Sequence, residues 1–470
     1  MLTERAKMAR NADYTQEYFD IMESLGGDVA GRRGAYHSMQ HSTAIYHGSV
    51  VDTTFTPRLY DARTYRALRH TAETMHAILC KVIEHYLDDP DYRAAFSFDE
   101  RLVDLILLPR GYDSLLPFAR VDIFLDEDSL ACKFSEFNAD GSSGMNEDRE
   151  AAASIAPSAT FQRFSARHEA RPSELFDTWV DDFLRIYAGY EHRVEHPRMA
   201  ICDFLENSVI DEFKVFAERF AQKGMPCSIC DVRDLRFDGE ALRGPDGERI
   251  DAVWRRCVTN DVIDHWEASQ ALIEAVRAQK VALIGSFAGH IVHDKQVFRV
   301  LSEPVTKAFL TAEEAAFIEQ SIPFTTFLDD AHIDLDEVRT HKDAWIIKPT
   351  DRYGADEVHA GCYWDQESWD RLIGRFANGA SGSPFLVQEY CLPYKTLTLP
   401  PDTGIDGLAD DEVSSVPQRY NNLLGLYLYD GRFAGVFSRL GPLPTICKDM
   451  QGVTAATIWV DQGDGEGKDG

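Results

Sequence analysis

Short apolar runs alternate with helical runs between residues 196 and 290, and this alternation restricts the fold more than any other feature of the chain. Two segments, 208–223 and 265–278, have the periodicity of helices. The runs around them have the length and apolar content of buried strands: MAICDFL, PCSICDV, AVWRR and VALIGSF. A hairpin is predicted around GPDGER. Strands that are joined through helices pair in parallel. The sequence therefore predicts a small doubly wound parallel sheet as one subdomain of a mixed α/β protein.

The rest of the 470-residue chain has other patterns. Residues 1–110 show helical periodicity, clearest over 64–87, and predict a helical N-terminal region. Residues 111–195 begin with a predicted hairpin, VDIFL followed by ACKFSEFN, and continue as helices. Residues 291–460 contain the strand-like runs AWIIKP, FLVQEYC, NNLLGLYLYDG and RFAGVFSRL. Residues 461–470 have nothing apolar to bury and are predicted to be disordered.

Charge and hydropathy exclude some partners. Lys and Arg total 48 against 78 Asp and Glu, and the net charge of -30 would repel a nucleic-acid backbone, so we predict no nucleic-acid partner. No apolar run approaches the ~20 residues of a membrane-spanning helix, so we predict no membrane partner. The polar start MLTERAKMARNADY lacks the pattern of a signal peptide, and nine scattered cysteines are typical of reduced thiols, so we expect a cytoplasmic protein. The oligomeric state cannot be predicted.

Two groups of residues could suggest zinc, and neither favours it. Cys227 and Cys230 form a C-x-x-C, but without a second pair or a helix start the pattern favours a buried strand over a redox or zinc site. His37, His41 and His47 include a pair at i, i+4 that can share a helix face, but the sequence places no acidic third ligand beside them. We therefore do not predict a zinc site at either place.

The second strand of the predicted hairpin ends in FSEFNADGSSG. Strand periodicity places Glu136 and Asn138 on the same side, and one charged and one neutral oxygen donor are ligands that a hard cation such as Mg²⁺ accepts. A solvated hairpin face is the alternative interpretation of this pair. Asp140, which follows, is interpreted as a turn or cap residue rather than a ligand.

A loop of glycines and serines follows this strand and precedes a helix predicted over GMNEDREAAASI. Ser143 is predicted to cap that helix. The hydroxyls of Ser142 and Ser143, with the N–H groups of the helix start, could hold a carboxylate or a tetrahedral intermediate. We therefore predict metal binding at the strand and acceptor binding at the loop.

Two strand ends in the last part of the chain suit a nucleotide. In WIIKPTDRYGADEVHAG, Lys348 lies on a strand beside a turn with Gly354, so that its ammonium could pair with phosphate oxygens that N–H groups of the turn cover. FLVQEYC ends in Gln388, Glu389 and Tyr390, which offer main-chain groups to an adenine edge, a carboxylate to ribose hydroxyls and an aromatic face. Each pattern alone is also common at solvated strand ends.

Two further cations belong to this group of candidates. Lys295 opens a helical segment in IVHDKQVF and could be a second phosphate-pairing cation. Arg439 lies on the strand VFSRL, where a fixed guanidinium could stabilise charge on a transferring phosphoryl group or on its acceptor. The alternative for Arg439 is an ordinary ion-pairing strand residue.

These pieces together resemble an ATP-grasp ligase of the glutathionylspermidine synthase-like, circularly permuted type, from about residue 110 to 459. The matching pieces are ARVD with FSEFNAD, VWRRCVTNDVID, VALIGSFAGHIVHDK, WIIKP with its glycine loop, VQEY and GVFSRLGPLPTI. Their order is informative, because the E-x-N strand precedes the nucleotide lysines here and follows them in common ATP-grasp enzymes. The resemblance implies an ATP-grasp fold with a preATP-grasp-like parallel-sheet subdomain, and ATP and Mg²⁺ as cofactors.

The resemblance also implies a role for each residue at a matching position. Asp122, Glu136 and Asn138 would hold Mg²⁺ against the β- and γ-phosphates. The other implied contacts are Lys295, Lys348 and Gly354 at the phosphates, Gln388, Glu389 and Tyr390 at the adenine and ribose, Arg120 and Arg439 beside the reacting carboxylate, and Arg256 at substrate or phosphate. Arg255 would face the other way by strand alternation.

The implied activity is that of an ADP-forming carboxylate–amine ligase, which makes an amide or peptide bond through an acyl phosphate. Its partners would be a small-molecule or peptide carboxylate and an amine. Moving a phosphoryl group between two anions requires metal ions, lysines and an arginine to neutralise the charge. Two alternatives stay open: a kinase that stops after phosphorylating the carboxylate, and a nucleotide-binding partner protein without catalysis.

Two parts of the sequence depart from the family pattern or lie outside it. The loop reads ADGSSG where the synthase pattern has a Thr/Pro/Ser-type sequence, so we expect a different acyl acceptor. The glycine loop has only Gly354 before Gly361, which is sparser than the family pattern. The stretch PPDTGIDGLADDEVSSVP, residues 400–417, is acidic and rich in Gly and Pro, and is predicted to be a mobile loop that closes over substrate. The identity of the acid and of the amine cannot be read from the sequence.

Overall fold

The structure is a computed structural model that describes residues 9–46, 48–352, 356–443 and 445–462. The helices before the parallel sheet are α1 (Asn11–Ser24), α2 (Val29–Gln40), α3 (Ala62–Asp88), α4 (Pro90–Arg93), α5 (Glu100–Ile106), α6 (Met145–Ile155), α7 (Ala159–Ser165) and α8 (Asp177–Ala188). The later helices are α9 (Ile210–Gln222), α10 (Thr259–Asp264), α11 (Gln270–Arg277), α12 (His290–His293), α13 (Gln296–Val300), α14 (Pro304–Lys307), α15 (Ala312–Ser321), α16 (Leu335–Thr340) and α17 (Gln366–Phe376).

The strands lie throughout the chain and include three in the N-terminal region. The first half contains β1 (Ile45–Tyr46), β2 (Ser49–Val50), β3 (Arg58–Asp61), β4 (Phe118–Leu125), β5 (Cys132–Asn138), β6 (Ala170–Pro172), β7 (Met199–Asp203), β8 (Cys227–Asp231), β9 (Arg236–Phe237), β10 (Leu242–Arg243) and β11 (Arg249–Ile250). The second half contains β12 (Ala252–Arg255), β13 (Ala282–Ile284), β14 (Thr325–Phe327), β15 (Trp345–Pro349), β16 (His359–Ala360), β17 (Phe385–Glu389), β18 (Lys395–Thr398), β19 (Gln418–Tyr429), β20 (Arg432–Gly441), β21 (Val453–Ala455) and β22 (Thr457–Val460).

The predicted parallel sheet is confirmed. Its four strands have the spatial order β13-β12-β7-β8, and every neighbouring pair is parallel. The predicted hairpin around GPDGER corresponds to β10 and β11, which pair antiparallel beside β9. Apolar side chains from α8 and α9 cover one face, where Trp179 and Phe216 pack on Trp254 of β12. The fold class is mixed α/β, as predicted.

A larger antiparallel sheet lies at the centre of the molecule. Its spatial order is β21-β20-β19-β4-β5, and β18 pairs with β19 outside that path. The hairpin predicted from VDIFL and ACKFSEFN is confirmed as β4 and β5, which pair antiparallel. Strands β19 and β20 confirm the strand-like runs near the end of the chain.

Alternation along β4 separates an apolar core from a polar surface. Val121, Ile123 and Leu125 are buried against the long helix α3, which the sequence predicts over 64–87. Burial of each large apolar side chain contributes roughly 1.5–3 kcal/mol, so this face fixes the register of the strand. The intervening residues, among them Arg120, point to the opposite face.

Besides the antiparallel pair of β1 and β2, two smaller sheets complete the described fold. The antiparallel sheet β14-β17-β15-β16 carries the strand ends predicted to bind a nucleotide. In the other sheet, β22 lies between β3 and β6, so that the end of the described chain joins the N-terminal region.

The segment 461–470, predicted to be disordered, begins with a residue that has defined contacts. The hydroxyl of Tyr14 donates to Asp461 at 3.0 Å, and a ring nitrogen of His168 lies 3.0 Å from the same carboxylate. The prediction is therefore wrong for Asp461, while residues 463–470 lie outside the described residues. Among the helices in the described ranges, none has the length and apolarity required to cross a bilayer.

Candidate functional site

The central sheet, the parallel sheet and the β14–β17 sheet enclose a cavity of about 640 Å³. A volume of this size is in the range of small-molecule and cofactor sites. Most residues predicted to be functional line it: Arg120, Glu136, Asn138, Ser142, Ser143, Arg256, Lys295, Lys348, Gln388, Glu389, Tyr390 and Arg439. Gly354 lies outside the described residues. The cavity is therefore the candidate active site.

The register of the central sheet places its charged residues together. Asp122 lies opposite Glu136 in the β4–β5 pair, and Arg120 lies opposite Asn138. Gly425 of β19 lies beside Asp122, and a Cβ atom there would come within 2.5 Å of the Arg120 side chain. The absence of a side chain at Gly425 thus lets the Arg120 side chain lie flat across the sheet.

Asp122 is not placed as a metal ligand, in contrast to the prediction. Arg120 donates to its two carboxylate oxygens from Nε at 2.7 Å and from Nη2 at 3.0 Å, and Arg439 donates to Oδ2 at 2.8 Å. Asp122 is fully buried and does not line the cavity. An anion held between two guanidinium groups is already neutralised, so Asp122 positions the arginines rather than a cation.

Glu136 and Asn138 do face the cavity from β5. Burial raises the pKa of Glu136, but Lys295, His293 and nearby arginines outweigh it and lower the pKa overall, which keeps the carboxylate charged. The side-chain nitrogen of Asn138 is buried and has no hydrogen-bond partner. The carboxylate of Glu136 and the amide oxygen of Asn138 are ligands that a hard cation such as Mg²⁺ accepts, while the unpaired N–H of Asn138 is a donor that a phosphate oxygen could accept from.

The two lysines approach the same wall from different elements. Lys295, between α12 and α13, donates to the carbonyl of Arg352 at 2.6 Å, and its Nζ lies 3.5 Å from a carboxylate oxygen of Glu136. Lys348 of β15 donates to Oε1 of Gln388 at 2.8 Å. Burial and the nearby Lys295 lower the pKa of Lys348 to about 8. Glu136 offsets part of the repulsion between the two ammonium groups, and an anion bound beside them would offset more of it.

The end of β17 differs in detail from the prediction. The Gln388 side chain is engaged on both sides, because its Nε2 donates to Thr325 at 2.8 Å while its Oε1 holds Lys348. The N–H groups of Glu389 and Tyr390 already donate to the carbonyls of Phe324 and Ala344. A base at this strand end would therefore contact carbonyl oxygens, or amides beyond Tyr390. The Glu389 carboxylate is exposed at the cavity wall.

The glycine and serine loop is held through its backbone. Arg256 donates to the carbonyl of Ser142 at 2.5 Å, and Arg120 and Tyr427 donate to the carbonyl of Ser143 at 2.6 and 2.9 Å. The two carbonyls are thus directed at cations, and both serines line the cavity. The loop conformation therefore depends on the same arginines that line the site.

The start of α6 does not offer a free anion site, in contrast to the prediction. Gly144, at φ 102°, is the cap residue, and no side chain caps the helix, so the predicted cap by Ser143 is wrong. The carboxylate of Glu212 from α9 accepts from the N–H groups of Gly144 at 3.1 Å and Asn146 at 3.0 Å. An internal carboxylate already occupies the place where a substrate anion was expected.

The two arginines that end β12 separate as strand alternation predicts. Arg256 lines the cavity, whereas Arg255 is buried beneath it and pairs with Asp140. Asp140 also accepts from the N–H of Thr259 at 2.6 Å, at the start of α10. Asp140 does not line the cavity, in agreement with its interpretation as other than a ligand there, but its partners are a buried arginine and an N–H of a distant helix rather than a local turn or cap.

Several acidic cavity residues were not predicted. Glu147 on α6 accepts from the Thr454 hydroxyl at 2.9 Å, and burial raises its pKa to about 7. Asp203 ends β7, and burial raises its pKa to about 6 against the effect of Arg256. Asp203 stands at the carboxyl edge of a parallel sheet, where ligands commonly bind, so this position could have been found from the sequence. Glu147 carries no comparable signal.

The remaining sequence candidates lie away from the cavity. The 400–417 loop was predicted to close over substrate, but no residue of this described loop lines the cavity. It packs on α2 instead, where Arg32 donates to Asp402 at 3.1 Å and His37 lies 2.9 Å from Asp406. Cys227 and Cys230 lie on β8, as the strand interpretation predicts, and His47 is outside the described residues.

Comparisons with known proteins describe the fold. No protein-family model matches the chain, and no curated protein sequence matches it. It shares its fold with a glutathione synthetase-like effector from Globodera pallida in the apo form: the TM-score is 0.55 at 11% identity, over 91% of this chain and 96% of that one. A provisionally assigned gamma-glutamylcysteine synthetase from Methylobacillus flagellatus is less similar, with a TM-score of 0.39 and 10% identity over 83% of this chain and 88% of that one. The second value is too low to indicate a shared fold.

Proposed function

We propose that the chain is an ATP-dependent carboxylate–amine ligase with an ATP-grasp nucleotide site, releasing ADP and phosphate. One observation carries the proposal: Lys295, Lys348, Glu136 and Asn138 line one cavity of about 640 Å³, and Arg439 lines it from the same central sheet as Glu136 and Asn138. This is the arrangement that phosphoryl transfer between two anions needs. The fold shared with a glutathione synthetase-like protein supports the same reaction class.

At the nucleotide end, Lys295 and Lys348 would pair with the phosphates, and Glu136 and Asn138 would hold Mg²⁺. Bound Mg²⁺ would neutralise charge on the transferring phosphoryl group. Gln388 keeps the Lys348 ammonium directed into the cavity through its 2.8 Å hydrogen bond. Its role in the proposal is therefore to position a lysine.

At the acceptor end, the two central-sheet arginines have different roles. Arg120 donates from Nε and Nη2 to Asp122 and from Nη1 to the carbonyl of Ser143, which makes it a positioning residue. Arg439 donates to Asp122 from Nη2, and its buried Nε has no partner. The Arg439 side chain is 26% exposed and lines the cavity, so the terminal nitrogen of its guanidinium that does not donate to Asp122 could donate to the reacting carboxylate.

The reaction would proceed in two steps. The acid carboxylate attacks the γ-phosphorus, the bond from the γ-phosphorus to the bridging oxygen breaks, and ADP leaves. The amine then attacks the acyl carbon, phosphate leaves, and a proton must be removed from the nitrogen. Glu147 faces the cavity with a pKa raised to about 7, which suits a base near neutral pH.

The proposal is tested by ADP release. Acids are first selected from a library of amino acids, short peptides and other carboxylates by the rise in melting temperature that they cause with a non-hydrolysable ATP analogue and Mg²⁺. Selected acids are then assayed with ATP, with and without candidate amines and hydroxylamine. ADP release that depends on both acid and amine, with a hydroxamate formed from hydroxylamine, supports the ligase.

Release of ADP that does not depend on an amine, with accumulation of a stable acyl phosphate, indicates a kinase. Nucleotide binding without turnover of any selected acid indicates a binding protein.

A further inference from the structure

A buried group of metal-ligating side chains lies beside the cavity, outside the residues proposed to bind Mg²⁺. The group consists of His290 in α12, Asp294 directly after α12, and Asp351 after β15. One ligand atom of each residue lies within 4.8 Å of the ligand atoms of the other two. The side chains of His290 and Asp351 are 1% and 15% exposed, and Asp294 is buried. Two separate chain segments thus bring one imidazole and two carboxylates to one point.

The surroundings of His290 indicate which ring nitrogen is available. Its Nδ1 lies 3.5 Å from a carboxylate oxygen of Asp140, which is itself held by Arg255 and by the N–H of Thr259. A carboxylate at Nδ1 orients the ring and leaves Nε2 as the atom that a metal ion would bind, with displacement of any proton that Nε2 carries. This is the arrangement that orients most metal-binding histidines in proteins.

The Nε2 atom of His290 faces a carboxylate without a hydrogen bond. It lies 3.2 Å from Oδ2 of Asp351, yet the pair is not aligned as a hydrogen bond, and both atoms are buried without a partner. A ring nitrogen and a carboxylate oxygen that face each other out of line for a hydrogen bond can both be satisfied by one metal ion between them. When two ligand atoms each lie ~2.0–2.2 Å from one metal ion, the two ligand atoms are about 3.0–3.5 Å apart. The separation of Nε2 of His290 and Oδ2 of Asp351 is in this range.

A fourth donor is close. His293 has its Nδ1 3.1 Å from the carbonyl of Phe137, so that Nδ1 carries the proton and Nε2 is the acceptor. That Nε2 lies 4.0 Å from the other oxygen of Asp351. His293 lines the cavity, which gives an ion a path to the cluster.

We propose that His290, Asp294 and Asp351, with His293, bind one divalent transition-metal ion, separate from the Mg²⁺ at Glu136. A mixed set of imidazole and carboxylate ligands favours Mn²⁺, Fe²⁺ or Zn²⁺ over Mg²⁺. Asp294 precedes Lys295, and Asp351 follows Lys348 by three positions, so the ion joins the two segments that carry the cavity lysines. Metal binding at this site needs no nucleotide.

The test uses the full chain, stripped of metal with a chelator, in the absence of nucleotide. Titration with Mn²⁺, followed by electron paramagnetic resonance, is expected to show one tightly bound ion and a rise in melting temperature. A nitrogen coupling in the bound Mn²⁺ spectrum is expected from histidine. Asp351→Asn, which preserves shape at the most exposed ligand, is expected to weaken binding at least about tenfold. The control Glu136→Gln is expected to bind this ion as the wild type does.

Three results would overturn the inference. The first is the absence of a bound ion in the wild type at millimolar Mn²⁺ or Zn²⁺. The second is a bound ion without nitrogen coupling, which needs no variant and so does not depend on whether Asp351→Asn folds. The third is loss of the ion in Glu136→Gln, which would assign it to the cavity wall. Because the readouts need no turnover, failure here leaves the proposed ligase activity untouched.

Discussion

At the scale of single residues, the cavity depends on which charges are already paired. Asp122 is neutralised by Arg120 and Arg439, whereas Glu136 lies 3.5 Å from Lys295 without an aligned hydrogen bond to it. Glu136 therefore remains the central-sheet carboxylate that a cation can approach from the cavity. The two acidic residues are directly opposite in the sheet and yet have different roles.

Replacing Glu136 by glutamine is expected to abolish turnover while nucleotide binding is largely retained. The change removes a negative ligand without changing shape, and metal stabilisation of transferring charge is worth several kcal/mol, so kcat should fall at least about 100-fold. Binding of an ATP analogue, measured by calorimetry, should weaken less than about tenfold because both lysines remain. Glu313→Gln, at an exposed site on α15, is the control. Turnover of Glu136→Gln near the wild-type rate would remove the assigned Mg²⁺ site.

Nucleotide affinity is expected to fall as pH rises above about 8, the lowered pKa of Lys348. The protonated ammonium attracts phosphate, so the binding-competent form predominates below this pKa and is lost above it. One proton linked to binding weakens affinity by up to about tenfold per pH unit there. Calorimetric titration of an ATP analogue between pH 7 and 10 measures the effect. Lys348→Arg, which stays charged, should show a flatter profile; identical profiles would exclude Lys348 as the titrating group.

At the scale of elements, the start of α6 shows one helix stabilised by another. Glu212 of α9 accepts from two N–H groups of the first turn of α6, and the loop before that turn is held by Arg256 and Arg120. The acceptor end of the cavity is therefore built from contacts between elements far apart in sequence.

Glu212→Ala is expected to destabilise the protein by about 2 kcal/mol, because two buried N–H groups lose their acceptor. Glu212→Gln keeps an acceptor oxygen and should cost less than half as much. Urea denaturation followed by circular dichroism measures both. Equal effects of the two substitutions would mean that the charge, rather than the hydrogen bonds, stabilises this helix start.

The 400–417 loop is expected to be cleaved by protease at the same rate with and without nucleotide and substrate, since it docks on α2 rather than over the cavity. Arg32 is buried and donates to Asp402 and to the carbonyl of Ser414 in the loop. Because hydrogen bonds to charged groups contribute ~1.5–3 kcal/mol, Arg32→Ala should raise the cleavage rate about tenfold or more. Arg33→Ala removes donors to Asp410 and to the carbonyl of Leu408 at side chains that are more exposed than Arg32, and as the control it should raise the cleavage rate less. Protection of the loop by substrate would restore its assignment as a lid.

Much of the fold could be predicted because it is encoded locally. Period-two and period-3.6 patterns gave the β4–β5 hairpin, the parallel sheet and α3. The state of Asp122 could not be predicted, because it depends on Arg439, which is 317 positions away in sequence. The occupied start of α6 was missed for the same reason, since Glu212 is 68 positions from Gly144. Sequence periodicity indicates which residues share one face of a strand or helix. It does not indicate which charged or polar group from a distant segment already pairs with them.

At the scale of the whole molecule, the end of the described chain is part of the N-terminal core. Strand β22 is fully buried between β3 and β6, and Ile458 is 1% exposed. Its neighbours in the cluster come from α1, α6 and α7, so one strand shares a buried core with three helices. A local change in β22 should therefore affect the stability of distant segments.

Ile458→Ala is expected to destabilise the protein by ~2–5 kcal/mol, the range for a large apolar side chain removed from a core. Hydrogen exchange should show loss of protection in β3, at Arg58–Asp61, as well as in β22 itself. Ile45→Ala, at a residue that is 38% exposed in β1, is the matched control and should cost less than about 1 kcal/mol. Protection of β3 that is unchanged in Ile458→Ala would show that the two strands open independently.

The pairing of β4 with β19 has a consequence for how the protein is made. The ribosome synthesises β4 and β5 long before β19 and β20. Until β19 is made, the edge of β4 is unpaired and the carboxylates of the hairpin are exposed, while most of the polypeptide is still being translated. Chaperone dependence during expression, and inclusion bodies when translation is fast, would follow from this topology alone.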